Sequence, residues 1–397
     1  MAEIRKAGLA AGADAGMFVF GIVMALLGAV LPLLSKQIGF DLAQAGNMFL
    51  VMNCCMLAAM LSLGMLMDRF GQKPVLIGGA IAVAAALVLL IRATTYGAVL
   101  LSAGLLGVGG GALNGATNTL VADLYAEPRR KASALNLLGV FFGFGALFLP
   151  FTIGALLEAL GLQTILWLAA MLSAVPAVVF LVLAFPPAKQ KQGVPMAEVA
   201  RLARHPLLLL IAFLLFFESG NEFILGGYIS TYLVREAEAS LSAASYALAG
   251  YWAAIMLTRI VASRLLFRLK NATLVRASAL CTAMAVALLM GSRSVAAGAC
   301  AAVLIGAGCA AIYPTVLADA GSRFAEYSGT AFGIIFAIAL VGGMMLPWSV
   351  GQIAARSGLR WGLALPVFNA VMIFILQTRI MRMNREVTCP PSVTMNE

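Results

Sequence analysis

Gly145-Ala-Leu-Phe-Leu-Pro150-Phe-Thr-Ile-Gly154 returns, 197 residues on, as Gly342-Gly-Met-Met-Leu-Pro347-Trp-Ser-Val-Gly351. Both copies sit in apolar runs, with glycine at each end and proline in sixth place. A second register, offset by 199, brings Gly28 onto Gly227, Ser35-Lys36 onto Val234-Arg235, Leu42 onto Leu241 and Arg69 onto Arg268. Both offsets are close to half of the 397 residues, so the chain reads as two similar halves in the same orientation. Parallel repeats of this kind place a binding site at their interface near the membrane midplane.

Composition sets the class. Apolar residues make up 62% of the chain and charged ones 11%, and a mean hydropathy of +1.01 excludes a soluble domain. Windows of about 20 apolar residues, matched to the hydrocarbon thickness, predict twelve spans: 17–36, 43–67, 75–93, 97–123, 131–158, 163–185, 207–234, 242–268, 273–291, 295–318, 328–355 and 360–380. The expected fold is all-α and polytopic. One six-helix bundle covers 1–185 and a second covers 207–397, joined by a Pro-rich linker over 186–206 in which Met196 to Arg204 can form a short amphipathic surface helix.

Orientation follows from Lys and Arg. Of 26 such residues, 19 lie at the N-terminus, in even-numbered loops or at the C-terminus, 6 lie in odd loops, and Arg259 lies inside a span. This asymmetry predicts both termini in the cytoplasm of a multi-pass cell-membrane protein and makes the net charge of +10 topological, with no nucleic-acid partner. Cys54, Cys55, Cys281, Cys300 and Cys309 fall in apolar helices, where cysteine acts as a small hydrophobe, so no disulfide, metal or cofactor is expected. The single histidine, His205, is in a loop, and no nucleophile, base and acid set can be assembled for an enzyme.

Within this apolar chain one stretch carries acids at depth: Phe216-Phe-Glu218-Ser-Gly-Asn221-Glu222-Phe-Ile-Leu-Gly226-Gly-Tyr228-Ile-Ser-Thr-Tyr232-Leu. A helix rises about 1.5 Å per residue, which sets both carboxyls roughly 16 to 24 Å in from Leu207, on one face. Ionisable groups there require protonation, a partner or a water-filled cavity. Arg259 in span 8 either snorkels outward or serves as counter-charge to Glu218 or Glu222.

Gly64-Met-Leu-Met-Asp68-Arg69-Phe-Gly71-Gln72-Lys73-Pro74 joins spans 2 and 3. A tight turn accounts for Gly71 and Pro74 but not for Asp-Arg at the membrane edge. With twelve spans and a parallel repeat, this loop resembles the signature of the major facilitator superfamily, departing from it at Gln72. The resemblance implies a secondary transporter with a cytoplasmic latch: Asp68 meets the N-terminus of span 11, and Arg69 pairs with Asp123. By the repeat, Arg268 and Asp319 form a second pair. Only scattered parts of the antiporter signature occur around Gly145, Pro150 and Gly154 in span 5.

Locally, Gly220-Asn-Glu222 and Gly226-Gly-Tyr-Ile-Ser-Thr-Tyr232 resemble span 7 of the fucose, galactose and glucose cation symporter branch. That implies a sugar-type solute moved with H⁺ or Na⁺, although span 1 from Met17 to Ser35 lacks the branch's acid. Glu222 is the first candidate for coupling and Glu218 the second. Candidate solute ligands are Asn221, Asn114, Asn118, Tyr228, Trp252 and Tyr313, amides and aromatics that suit a wet cavity. Three readings stand: a cation-coupled symporter of a sugar or similar small polar metabolite, acting as a monomer; a proton-driven exporter of amphipathic compounds; and a membrane sensor without transport.

Overall fold

The computed structural model describes residues 2–125, 127–185, 196–265, 271–324 and 328–388. Among them every regular element is a helix: α1 (Ala2–Ile38), α2 (Leu42–Phe70), α3 (Gln72–Ile91), α4 (Tyr96–Leu124), α5 (Pro128–Val182), α6 (Met196–Ala203), α7 (Pro206–Glu236), α8 (Leu241–Leu265), α9 (Asn271–Gly291), α10 (Val295–Cys309), α11 (Ile312–Arg323), α12 (Ser328–Ser357), α13 (Leu359–Gly362) and α14 (Ala364–Thr388). Eleven helical segments are long and apolar enough to cross a membrane. One of them, Ser133–Val182, has 50 residues, roughly 75 Å of helix and more than twice the hydrocarbon thickness. Gly161 leaves the helical region inside it, with φ 72° and ψ 158°, so it serves as the expected spans 5 and 6 and brings the crossings to twelve. Helices α10 and α11 share span 10, α12 is span 11, and α13 with α14 makes span 12.

Local chemistry explains the boundaries. Asp41 caps α2 by accepting from the Gln44 N–H at 2.7 Å, while Gln44 Oε1 accepts from the Asp41 N–H at 3.1 Å, a reciprocal capping box. The α2–α3 reversal takes a single residue, Gly71, at φ 80°, which a side chain would strain. Exposed apolar side chains such as Leu101, Met171 and Val182 form the outer face, which faces lipid rather than water.

Helix α1 packs chiefly on α5 and α4, and α2 and α3 lie on α4; in the second half α7 lies on α12 and α14, and α10 links α8 to α9. The halves are joined chiefly by α2 on α12, α5 on α8, and α1 on α7. The repeated ten-residue stretch does the same two jobs in each half. Its first glycine seats the helix on a backbone of its own half: a β-carbon on Gly145 would strike the Phe18 carbonyl of α1, and one on Gly342 the Phe216 carbonyl of α7. Its last glycine faces the other half. A β-carbon on Gly154 would stand 2.9 Å from the Tyr246 ring of α8, and one on Gly351 2.6 Å from the Leu42 carbonyl oxygen of α2. Small residues let membrane helices approach this closely.

Polar contacts reinforce that seam. Trp348 Nε1 donates to Asn47 Oδ1 at 3.0 Å, and Gln352 Nε2 donates to the Ala43 carbonyl at 3.4 Å. Gly28 of α1 meets the Gly226 carbonyl of α7. The α2–α12 contacts involve the start of α2 and the end of α12, which the order of crossings places on the membrane side away from the N-terminus. Gly351→Val is expected to force this seam apart. Overpacking costs about 1–3 kcal/mol, enough to shift a two-state balance by at least about fivefold. The measure is the labelling rate, by a membrane-impermeant maleimide, of a cysteine placed at Asn47 in an otherwise cysteine-free chain; an unchanged rate would show that the seam does not open there.

Candidate functional site

Span 10 is broken. Pro314 has no N–H to give to the carbonyl four residues earlier, and that carbonyl belongs to Ala310, where α10 has ended and α11 has not begun. Arg259 of α8 supplies the missing donor: its Nε lies 3.2 Å from the Ala310 oxygen. The same guanidinium reaches Glu222 of α7, with Nη2 3.6 Å from Oε1. One arginine thus ties the interruption in span 10 to a partly buried acid.

This arginine stands on the wall of a cavity of about 880 Å³ between the halves. One wall is the first part of α5, including Asn136, Phe142 and Gly143; the others come from α8, α9, α11 and the break before it. Asn271, Leu135 and Ala318, at helix ends beside even-numbered loops, place it in the half of the membrane nearer the N-terminus. The sealed seam is on the other side. Among the described lining residues Arg259 is the only charged one, and its side chain is 30% exposed against 15% for Glu222. Trp252 also lines the cavity; its side chain is almost wholly buried and its indole N–H has no partner among the described residues. Tyr313 lines it as well, with its ring stacked on Phe336 at 6.4 Å.

The other sequence candidates lie elsewhere. Asn221 is fully buried against α14, accepting from Asn369 Nδ2 at 2.9 Å and donating to the Pro366 carbonyl at 3.4 Å. Tyr228 is buried at the seam, donating to the Pro347 carbonyl at 3.2 Å beside the Phe49 ring. Asn118 Nδ2 donates to the Asn114 side-chain oxygen and backbone carbonyl at 3.1 and 2.8 Å, which turns its amide back along α4. Glu218 is 1% exposed, with Oε2 unpartnered among the described residues, and Glu222 touches the cavity through Arg259. The reading of residue types did not find the Ala310 carbonyl; its signal was Pro314 four places later.

Asn221 supports a direct test. Asn221→Leu is expected to lower stability by about 0.6 to 1.7 kcal/mol, the range for interhelical hydrogen bonds in membranes, with solute affinity unchanged. Thermal unfolding in detergent and solute titration read the two effects separately; a large affinity loss would make Asn221 a solute ligand.

At the expected latch, Asp123 accepts from Gln72 Nε2 at 2.9 Å, so the residue that departs from the superfamily signature is the one found beside the acid. Arg69 is exposed, its guanidinium 5.2 Å from the centre of the Phe70 ring. Asp319 pairs with Arg323 at 2.8 Å. Arg268 and the side chain of Asp68 lie outside the described residues.

Known proteins share this architecture. A bacterial homologue of the human lysosomal transporter Spinster, solved inward-facing and unoccupied, superposes with a TM-score of 0.77 at 14% identity over 95% of this chain and 98% of its own. A variant of the nucleoside transporter NupG gives 0.76 at 15% identity over 94% and 99%. The Escherichia coli fucose:proton symporter FucP gives 0.64 at 19% identity over 94% and 98%. These identities speak for the fold alone. A Haemophilus influenzae protein named for metabolite transport is 31% identical over 143 residues, 35% of this chain and 34% of that protein, so the match spans about a third of the relative's length. The profile of the Major Facilitator Superfamily matches residues 14–378. With twelve apolar crossings around an interfacial cavity, the chain is a membrane transporter of the Major Facilitator Superfamily.

Proposed function

We propose that this transporter moves a small polar metabolite together with a proton by alternating access, with Glu222 as the coupling carboxyl and Glu218 one turn behind it. The two halves, 1–185 and 207–397, rock about the glycine seam, and both termini stay on the cytoplasmic side of the cell membrane, in a monomer. The observation that carries this reading is the Arg259–Glu222 pair at the cavity wall. Opposite charges 4 Å apart attract by about 4 kcal/mol at an effective dielectric of 20, while burying each ion costs several kcal/mol. The pair therefore roughly balances, and neither partner is stable alone. Sodium is disfavoured as the coupling ion because a guanidinium 3.6 Å from the carboxylate repels it.

A sugar-type solute, implied by the span 7 resemblance and by the likeness to FucP, stays within this reading. The apolar walls, with Val140, Ile255, Met256 and Leu274, favour a second one: proton-driven export of amphipathic compounds. Purified protein in liposomes enclosing a pH dye separates the two. Solute added outside should drive protons inward for symport, whereas an exporter should move protons opposite to the solute. If no solute moves protons in either direction, proton coupling falls.

A further inference from the structure

We propose that the solute is a small organic monoanion on an apolar or aromatic body, whose acidic head displaces Glu222 from Arg259 as Glu222 takes a proton. This rests on the proton-coupled reading above and names the class of solute for the same site. Three observations point to it. The described lining offers one full charge, a cation, and no acid. That cation is incompletely used: Nε goes to the Ala310 carbonyl, Nη2 stands 3.6 Å from Glu222, longer than a hydrogen bond, and no further partner is found among the described residues. A guanidinium has five N–H donors in a fork that matches a carboxylate or sulfonate. The rest of the wall is mostly aromatic and aliphatic, with Asn136, Asn271, Thr315 and the unpartnered indole N–H of Trp252 as its other polar groups.

Charge balance turns the binding into symport. In the empty site Arg259 is positive and Glu222 negative. In the loaded site Arg259 is positive, the solute negative, and Glu222 carries a proton taken from the water of the open cavity. Both forms sum to zero across this trio, so both can cross the occluded stage. A protonated Glu222 without solute would leave Arg259 unbalanced in a buried setting, and that form, which would leak protons, is disfavoured. The titratable groups grouped around this pair are Glu218 on α7, Tyr251 on α8, Cys309 on α10 and Tyr313 on α11. Of these, Tyr251 donates to the Glu222 backbone carbonyl at 3.4 Å.

The test is calorimetric titration of the full-length protein in detergent with naphthalene-2-sulfonate, phenylacetate and neutral phenylacetamide, in two buffers of different ionisation heat. The anions should bind at least about tenfold more tightly than the amide, as expected where a site's charged partner would otherwise be left unpaired, with close to one proton taken up per anion. Glu222→Gln should bind the sulfonate more tightly than the parent and without proton uptake, because the internal competitor is gone. Equal binding of the amide, or weaker sulfonate binding in Glu222→Gln, overturns the proposal. If a neutral sugar drives protons in the liposome assay, proton coupling stands and the anion assignment falls. If neither class moves protons, the coupled reading itself has failed.

Discussion

Glu222→Gln is expected to abolish accumulation of solute against its gradient while sparing exchange of labelled for unlabelled solute across the membrane. Glutamine keeps the shape of the side chain but cannot carry a negative charge, so Arg259 loses its partner whenever the site is empty. The empty carrier must then turn over with an uncompensated cation in a low-dielectric setting, which costs several kcal/mol. Each 1.4 kcal/mol is a factor of ten, so net uptake should fall by roughly 100-fold or more. Exchange needs only loaded crossings, in which the solute itself neutralises Arg259. Parallel measurement of uptake and exchange in liposomes decides the matter. A matched loss of both would make Glu222 a folding or binding residue, and retention of both would remove it from coupling.

Arg259→Met carries the second large effect, on stability. It leaves the partly buried Glu222 without a counter-charge and the Ala310 carbonyl without a donor, where Pro314 interrupts span 10. Removing one partner of a buried pair costs about 3–5 kcal/mol; with the side chains 30% and 15% exposed, water screens part of this, and about 2–3 kcal/mol is expected. Arg259→Met with Glu222→Gln should recover a good part, because no buried charge remains, but not all, because an unsatisfied carbonyl still costs about 1–3 kcal/mol. Thermal unfolding of the two single variants and the double variant gives the coupling. Additive losses, with no recovery in the double variant, would show that the 3.6 Å pair contributes nothing to the folded state.

The repeated Gly145–Gly154 stretch was visible as a repeat in the sequence, yet its two jobs, seating span 5 or 11 on its own half and meeting the other half, appear only once helices are packed. Asn221 shows the opposite case. An amide one residue from Glu222 in a membrane span is chemically suited to a solute, and residue type cannot distinguish that role from a hydrogen bond to Asn369. At the latch, Gln72 was noted as a departure from the signature, and the fold brings that residue to Asp123. Span 10 contained its own break in Tyr313-Pro314; what was missing was knowledge of which neighbour would serve the orphaned carbonyl.

Run length, charge asymmetry and the spacing of Gly, Pro, Asp and Arg are properties of the chain taken locally, and they determine class, number of crossings and superfamily without reference to any contact. The partner of each buried polar group is a different kind of quantity. Glu218 and Glu222 share a helix face, but one turn moves a side chain about 5 to 6 Å along the axis, far enough to leave one sealed among apolar neighbours and bring the other to Arg259. The packing of α7 against α8 and the broken span 10 decides which acid meets the cation, because a charge in a membrane interior is governed by its nearest neighbours rather than by its place in the chain.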